Sequence, residues 1–255
     1  NLTLRVYNTT GTQIGAGVTV NTKASAFMRI DITPINASNF ALAWVNSSSA
    51  ALSIYTNNLT LVAGPTVVSA NIAAAATNST DVSVTATGSQ IVVCYMDDVN
   101  NDASARVYNY SLVANTAEFD ADSTAAPDRM GDNLVDCAAI NSSLYSYIWF
   151  DDGTGGDSIS FLLYSPASTT AIAGLEDIDV TSTNIGHAAI TALKNDSGVA
   201  TDDKFVMAYY DGGDSDISYA INFSNGRKVL GATDLATAAG TDGRVALATV
   251  REVGN

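Results

Sequence analysis

Aspartates gather in three short stretches of the chain: Asp97, Asp98 and Asp102; Asp151, Asp152 and Asp157; Asp211, Asp214 and Asp216. Hard carboxylate oxygens set close together beside Gly and Asn are the donors Ca²⁺ takes, about six to eight at a time. Their spacing matches no EF-hand loop, and Asp-Gly pairs at hairpin tips give the same composition without a metal. Two further acids, Asp31 and Asp136, stand in strand-like segments. A pair of carboxylates roughly 5–10 Å apart is the machinery of glycoside hydrolysis, although the sequence fixes no separation for these two.

Other chemistry finds little support. His187 is the one histidine, in an Ala-rich segment where a packed core residue is the expectation over a catalytic base. There is no Gly-X-Ser-X-Gly elbow, no Cys-His pairing and no zinc-ligand spacing. Cys94 and Cys137 lie in apolar segments, where they either form a disulfide or pack as thiols.

The segments that carry these residues repeat along the chain. Phe40-Ala41-Leu42-Ala43-Trp44-Val45-Asn46 returns as Ile91 to Asp97, Tyr145 to Asp151 and Phe205 to Asp211, each with an aromatic fifth and Asp or Asn two residues later. Trp44, Tyr95, Trp149 and Tyr209 could stack on sugar rings. One aromatic per repeat at one register nevertheless predicts packing between repeats. A period near fifty residues, built of short apolar runs and turns, predicts a β-propeller of four-stranded blades. Small residues dominate the segment before each aromatic strand, which suits innermost strands crowded around an axis. The blades are expected at about 25–73, 78–123, 131–180 and 184–235. A fifth is split between 1–24 and 240–255 and lacks its second strand, which predicts self-association by strand pairing at the chain ends.

The string Leu4-Arg5-Val6-Tyr7, Gly11, Ile14-Gly15, Val20-Asn21-Thr22 and Phe40 to Trp44 resembles the propeller-type repeats of large secreted microbial surface proteins of the adhesin-like kind. The resemblance covers nearly the whole chain through short, degenerate motifs. It implies an exported binding or structural module without known catalytic residues. The fuller Gly-Asp-Gly set of such relatives is approached only at Asp151-Asp152-Gly153 and Asp211-Gly212-Gly213.

Charge and sequons bound the partners. A net charge of −15 repels nucleic acid and anionic lipid. No apolar run is long enough to cross a membrane as a helix. The chain starts at Asn1 without Met or an export signal, so any such signal is expected to have been removed or to lie outside it. Asn-X-Ser/Thr sequons begin at Asn1, Asn8, Asn36, Asn46, Asn58, Asn78, Asn109, Asn141, Asn195 and Asn222. They predict a glycosylated extracellular or cell-surface protein; a turn vocabulary rich in Asn, Ser and Thr would also generate them. The leading expectation is therefore a non-enzymatic structural or adhesive subunit of a surface fibre or array. The alternative is a carbohydrate-binding or glycoside-cleaving propeller with an acidic axial site. No cofactor is required by either, calcium aside.

Overall fold

The computed structural model describes residues 1–21, 29–46, 49–69, 81–97, 102–121, 135–151, 157–167, 171–181, 186–193, 203–211, 216–236 and 245–247. Every regular element among them is a β-strand. A two-stranded sheet joins β1 (Leu2–Tyr7) to β2 (Gln13–Asn21). Four antiparallel four-stranded meanders follow. The first is β3 (Ile30–Pro34), β4 (Asn39–Asn46), β5 (Ser49–Thr56) and β6 (Leu61–Ser69). The second is β7 (Val82–Thr87), β8 (Gln90–Asp97), β9 (Asp102–Asn109) and β10 (Phe119–Asp120). The third is β11 (Val135–Asn141), β12 (Leu144–Asp151), β13 (Asp157–Tyr164) and β14 (Ala171–Thr181). The fourth is β15 (Gly186–Leu193), β16 (Lys204–Asp211), β17 (Asp216–Phe223) and β18 (Lys228–Ala236).

The sheets stack face to face in chain order, because both faces of each second and third strand are apolar. Leu2 and Leu4 of β1 pack on Leu42, Trp44, Ala51 and Tyr55. The opposite face of that sheet, with Ala43, Leu52 and Ile54, meets Val84, Val93 and Tyr95 of the next. Val92, Cys94 and Val107 then meet Cys137, Tyr147 and Trp149, and Ile148, Phe161 and Leu163 meet Ile190, Phe205 and Met207. The first strands are neighbours in the same order, β3 beside β7, β7 beside β11 and β11 beside β15. This is a propeller-like stack with the first strands innermost. Of the expected split blade, the described residues show the β1–β2 hairpin and, at the C-terminal end, the non-strand residues 245–247.

One turn recurs between third and fourth strands. The N–H of Gly11, Leu59, Leu112 and Gly226 donates to the carbonyl three residues earlier, and each of the four has positive φ, at 80°, 66°, 58° and 83°. A type I turn closed by a left-handed residue is a standard hairpin connection. Glycine meets it without strain; Leu59 and Leu112 meet it because their side chains are buried between sheets. The second sheet departs from the repeat: its fourth strand has only two residues, following an isolated bridge from Tyr108 to Ala114.

Gly64 on β6 tests how tightly the outer strand is held. Its φ is +97°, and an added Cβ would stand 2.7 Å from the Leu52 carbonyl oxygen, whereas at Gly231 on β18 nothing lies within 4 Å. Gly64→Ala should destabilise the protein by about 1–3 kcal/mol, and Gly231→Ala should stay within about 0.5 kcal/mol of the parent. Thermal or urea unfolding of the two variants measures the contrast; equal effects would contradict the described β5–β6 approach.

Candidate active site at the axis

The strand register brings four residues to one level of the innermost strands. Asp31, Ser83, Asp136 and Ala189 pair across their sheets with Ala43, Cys94, Ile148 and Ala208, each immediately before one of the repeated aromatics. An innermost strand has a partner on one side only, so its other edge carries backbone groups that need acceptors. Side chains of the preceding sheet supply them. Val84 N–H donates to Asp31 Oδ2 at 2.7 Å, Cys137 N–H to Ser83 Oγ at 3.2 Å, and Ile190 N–H to Asp136 Oδ2 at 2.8 Å. Thr85 Oγ1 accepts from Ala139 N–H at 2.8 Å, and the Asp81 carboxylate accepts from Val135 N–H. The result is a side-chain ladder between sheets.

Within it two carboxylates converge on one hydroxyl. Ser83 Oγ lies 2.9 Å from Asp31 Oδ2 and 2.8 Å from Asp136 Oδ1, so these two carboxylate oxygens are within about 6 Å of each other. Asp31, Asp81 and Asp136 are all half-buried. Burial raises the Asp136 carboxyl to about 7, against hydrogen bonds from Ile190 and Ser83 that favour its charge, and the Asp31 charge raises it further. Burial likewise raises Asp81 to about 6, opposed by the Arg29 guanidinium. Asp31 is raised by burial and held down by Val84, Ser83 and Ile32. Two raised carboxyls thus sit in reach of each other, Asp136 at about 7, an arrangement in which one can donate a proton while the other carries charge.

The remaining expected site residues fare differently. Asp97 is fully buried and Asp211 and Asp216 nearly so, each with an interaction partner, so they are not the solvated turn ends the composition predicts. Asp102, Asp151 and Asp157 occupy strand ends, and Asp98, Asp152 and Asp214 lie outside the described residues. Among the described residues no three His, Cys, Asp or Glu side chains gather as a metal group. At Asp31 and Asp136 the oxygens already accept N–H donors, an environment suited to carboxylates and not to a cation. Trp44, Tyr95, Trp149 and Tyr209 are buried in the seams and offer no ring to a sugar. His187 falls in β15, and its side chain is outside the described residues.

The disulfide alternative is corrected: Cys94 and Cys137 are free thiols buried in the seam between the second and third sheets. Burial pushes the Cys94 thiol well up, and Cys137 beside it adds to the shift. The sequons fall in several settings. At Asn8, Asn36, Asn109 and Asn141 the side-chain Oδ1 accepts the N–H of the residue two later, the Ser or Thr of the sequon itself. The turn alone therefore explains the motif. Asn222 is buried, with Nδ2 donating to Gly226 O at 3.2 Å, so it cannot receive a sugar in this fold. Asn141 Nδ2 donates to Asp203 Oδ2 at 3.0 Å. Asn1, Asn8, Asn36 and Asn58 are exposed, Asn109 is half-buried, Asn46 ends β4, and Asn78 and Asn195 lie outside the described residues.

No protein-family profile and no curated protein matches this sequence. Among solved structures, the endo-arabinase of Bacteroides thetaiotaomicron matches at a TM-score of 0.43 and 12% identity, over 83% of this chain and 81% of that one. A Hadza microbial sialidase matches at a TM-score of 0.40 and 12% identity, over 82% of this chain and 45% of that one. The expectation of a non-enzymatic structural or adhesive fibre subunit is corrected here, the two structures named being an endo-arabinase and a sialidase. Neither match transfers a residue or a substrate at that distance, so the case for a site rests on the axial carboxylates. No helix among the described residues is long and apolar enough to cross a membrane.

The raised carboxyls have a consequence for stability. The folded chain keeps protons at Asp81 and Asp136 that the unfolded chain, near 3.8, has released. Stability from these groups therefore falls as pH rises between about 4 and 7 and is level above that. Asp136→Asn should flatten this slope, measured as the difference in Tm between pH 5 and pH 8 for the variant and the parent. An identical pH dependence in both would remove Asp136 as its source.

Proposed function

We propose that this chain binds carbohydrate at its acidic axial site and cleaves a glycosidic bond there. The observation that carries this is the convergence of Asp31 and Asp136 on the Ser83 hydroxyl, with Asp136 raised to about 7. Glycoside hydrolysis asks for one carboxylic acid to protonate the leaving oxygen and one carboxylate to act as nucleophile or base. Asp136, with the higher proton affinity, is the acid of the pair. Asp31, whose oxygens accept the Val84 and Ile32 N–H groups at 2.7 Å, is the carboxylate. Their close spacing favours the retaining arrangement, in which the two groups stand about 5–5.5 Å apart. The partly exposed Asp81 and the Arg29 beside it supply further polar contacts at the same end of the strands.

The test is a hydrolysis panel of aryl glycosides and polysaccharides, arabinan and sialosides included, with product anomers followed by NMR. Cleavage with retention is expected, and Asp31→Asn and Asp136→Asn should each lower kcat by about 100-fold or more while circular dichroism stays unchanged. Absence of both cleavage and binding across the panel, or full activity in both folded variants, would refute the proposal.

A further inference from the structure

With both carboxylates ionised, the one hydroxyl proton of Ser83 serves only one of Asp31 and Asp136. A serine hydroxyl has one proton and two lone pairs. Around Ser83 Oγ stand Asp31 Oδ2 at 2.9 Å, Asp136 Oδ1 at 2.8 Å, the Cys137 N–H at 3.2 Å and the Cys137 thiol at 3.6 Å. If both acids are charged, the hydroxyl donates to one and turns a lone pair toward the other, leaving two acceptors at hydrogen-bond distance with no hydroxyl proton between them; toward Asp136 Oδ1 only the Cys137 N–H, which donates there at 2.8 Å as well as to Ser83 Oγ at 3.2 Å, bridges the pair. One added proton removes the conflict: the protonated acid donates to Ser83 Oγ, and Ser83 donates to the carboxylate. The other bonds are compatible with this state. Ile32 N–H holds Asp31 Oδ1 at 2.7 Å and Ile190 N–H holds Asp136 Oδ2 at 2.8 Å, so neither side chain can turn away.

We propose that Ser83 is a positioning residue of the axial pair: its hydroxyl joins Asp31 to Asp136 so that one proton is shared across the three groups, keeping one member acid and the other base. This deepens the glycosidase reading and rests on it for its catalytic meaning, but the shared proton itself does not. Burial raises both carboxyls in the same direction. The other ionisable groups that face the trio are Asp81 with Arg29, and the thiols of Cys94 and Cys137. From β15 the residues 188–193 bring no ionisable side chain; His187 precedes them. Because the two acids titrate through one hydroxyl, the steps belong to the pair and not to either residue. The singly protonated state is the one Ser83 favours, so it widens the gap between the two steps.

The experiment is a ¹³Cγ NMR titration of the aspartates between about pH 3 and 9, without substrate, in the parent, Ser83→Ala and Ser83→Thr. In the parent two coupled steps are expected, the upper near neutral. In Ser83→Ala the steps should move together by about one pH unit, and Ser83→Thr, which keeps the hydroxyl, should restore the gap. An unchanged gap in Ser83→Ala, or a Thr variant that behaves like Ala, overturns the proposal. Where Ser83→Ala does not fold, the parent decides: the carbons of both carboxyls should respond to each of two steps separated by more than about one pH unit, and two independent single-residue titrations overturn the proposal. A narrowed gap in a protein that cleaves no glycoside would sink the glycosidase reading and leave the shared proton standing.

Discussion

The structure depends on how the unpaired edges of the innermost strands are satisfied. Each first strand pairs with one neighbour, and its other edge faces the crowded axis, where backbone N–H groups need acceptors. The chain answers with Asp31, Asp81, Ser83, Thr85 and Asp136, which accept from the first strand of the following sheet. Asp81, Ser83 and Thr85 alternate along one strand and reach Val135, Cys137 and Ala139, which alternate along the next. That match of period two against period two fixes the register between sheets: a slip of one residue would turn every acceptor to the wrong face. Hydrophobic packing between sheets is non-directional and would tolerate such a slip more readily. The polar ladder therefore supplies specificity while Leu42, Tyr95, Trp149 and Phe161 supply the burial.

The same bonds create the chemistry. A carboxylate that accepts two or three N–H bonds is normally held at low pKa, and a desolvated one is pushed up. At Asp136 burial is the larger effect, and the nearby Asp31 acts in the same direction. Residues recruited to hold strands together thus become an acid and a carboxylate at fixed separation. Preorganisation of this kind is what a catalytic pair needs from its scaffold, since the donors are in place before any substrate arrives.

Much of the fold was legible from the chain. The aromatics at 44, 95, 149 and 209 marked the second strands, and the observed registers follow from them. What the period could not convey was the meeting of residues from different repeats. Ser83 is one serine among many along the chain. It becomes visible only when the four repeats are aligned on the aromatic and the preceding positions are traced across their pairs, giving Asp31, Ser83, Asp136 and Ala189. Asp81 was missed for the same reason. Buried Asp97, Asp211 and Asp216 misled in the opposite direction, because hairpin-tip composition does not reveal that strand ends are covered by neighbouring sheets. The sequons also have a local reading: an Asn whose Oδ1 takes the N–H two residues on favours a short polar residue there, so the turn by itself generates the motif.

The four equivalent axial positions are not alike, and the difference has a direction. Asp31 reaches the second sheet, Ser83 the third and Asp136 the fourth, but Ala189 has no side-chain acceptor to offer onward. If strand pairing were the only demand on these positions, a serine or threonine at each would meet it without desolvating charge, as Ser83 and Thr85 do. Two aspartates in place of hydroxyls add a burial cost that the ladder does not require, and they do so at alternate sheets whose side chains meet on the intervening serine. Among the described residues the acidity of the innermost strands is therefore concentrated where Asp31, Ser83 and Asp136 converge. A repeat that is regular in its packing and uneven in its charge is what the proposed site asks of its scaffold.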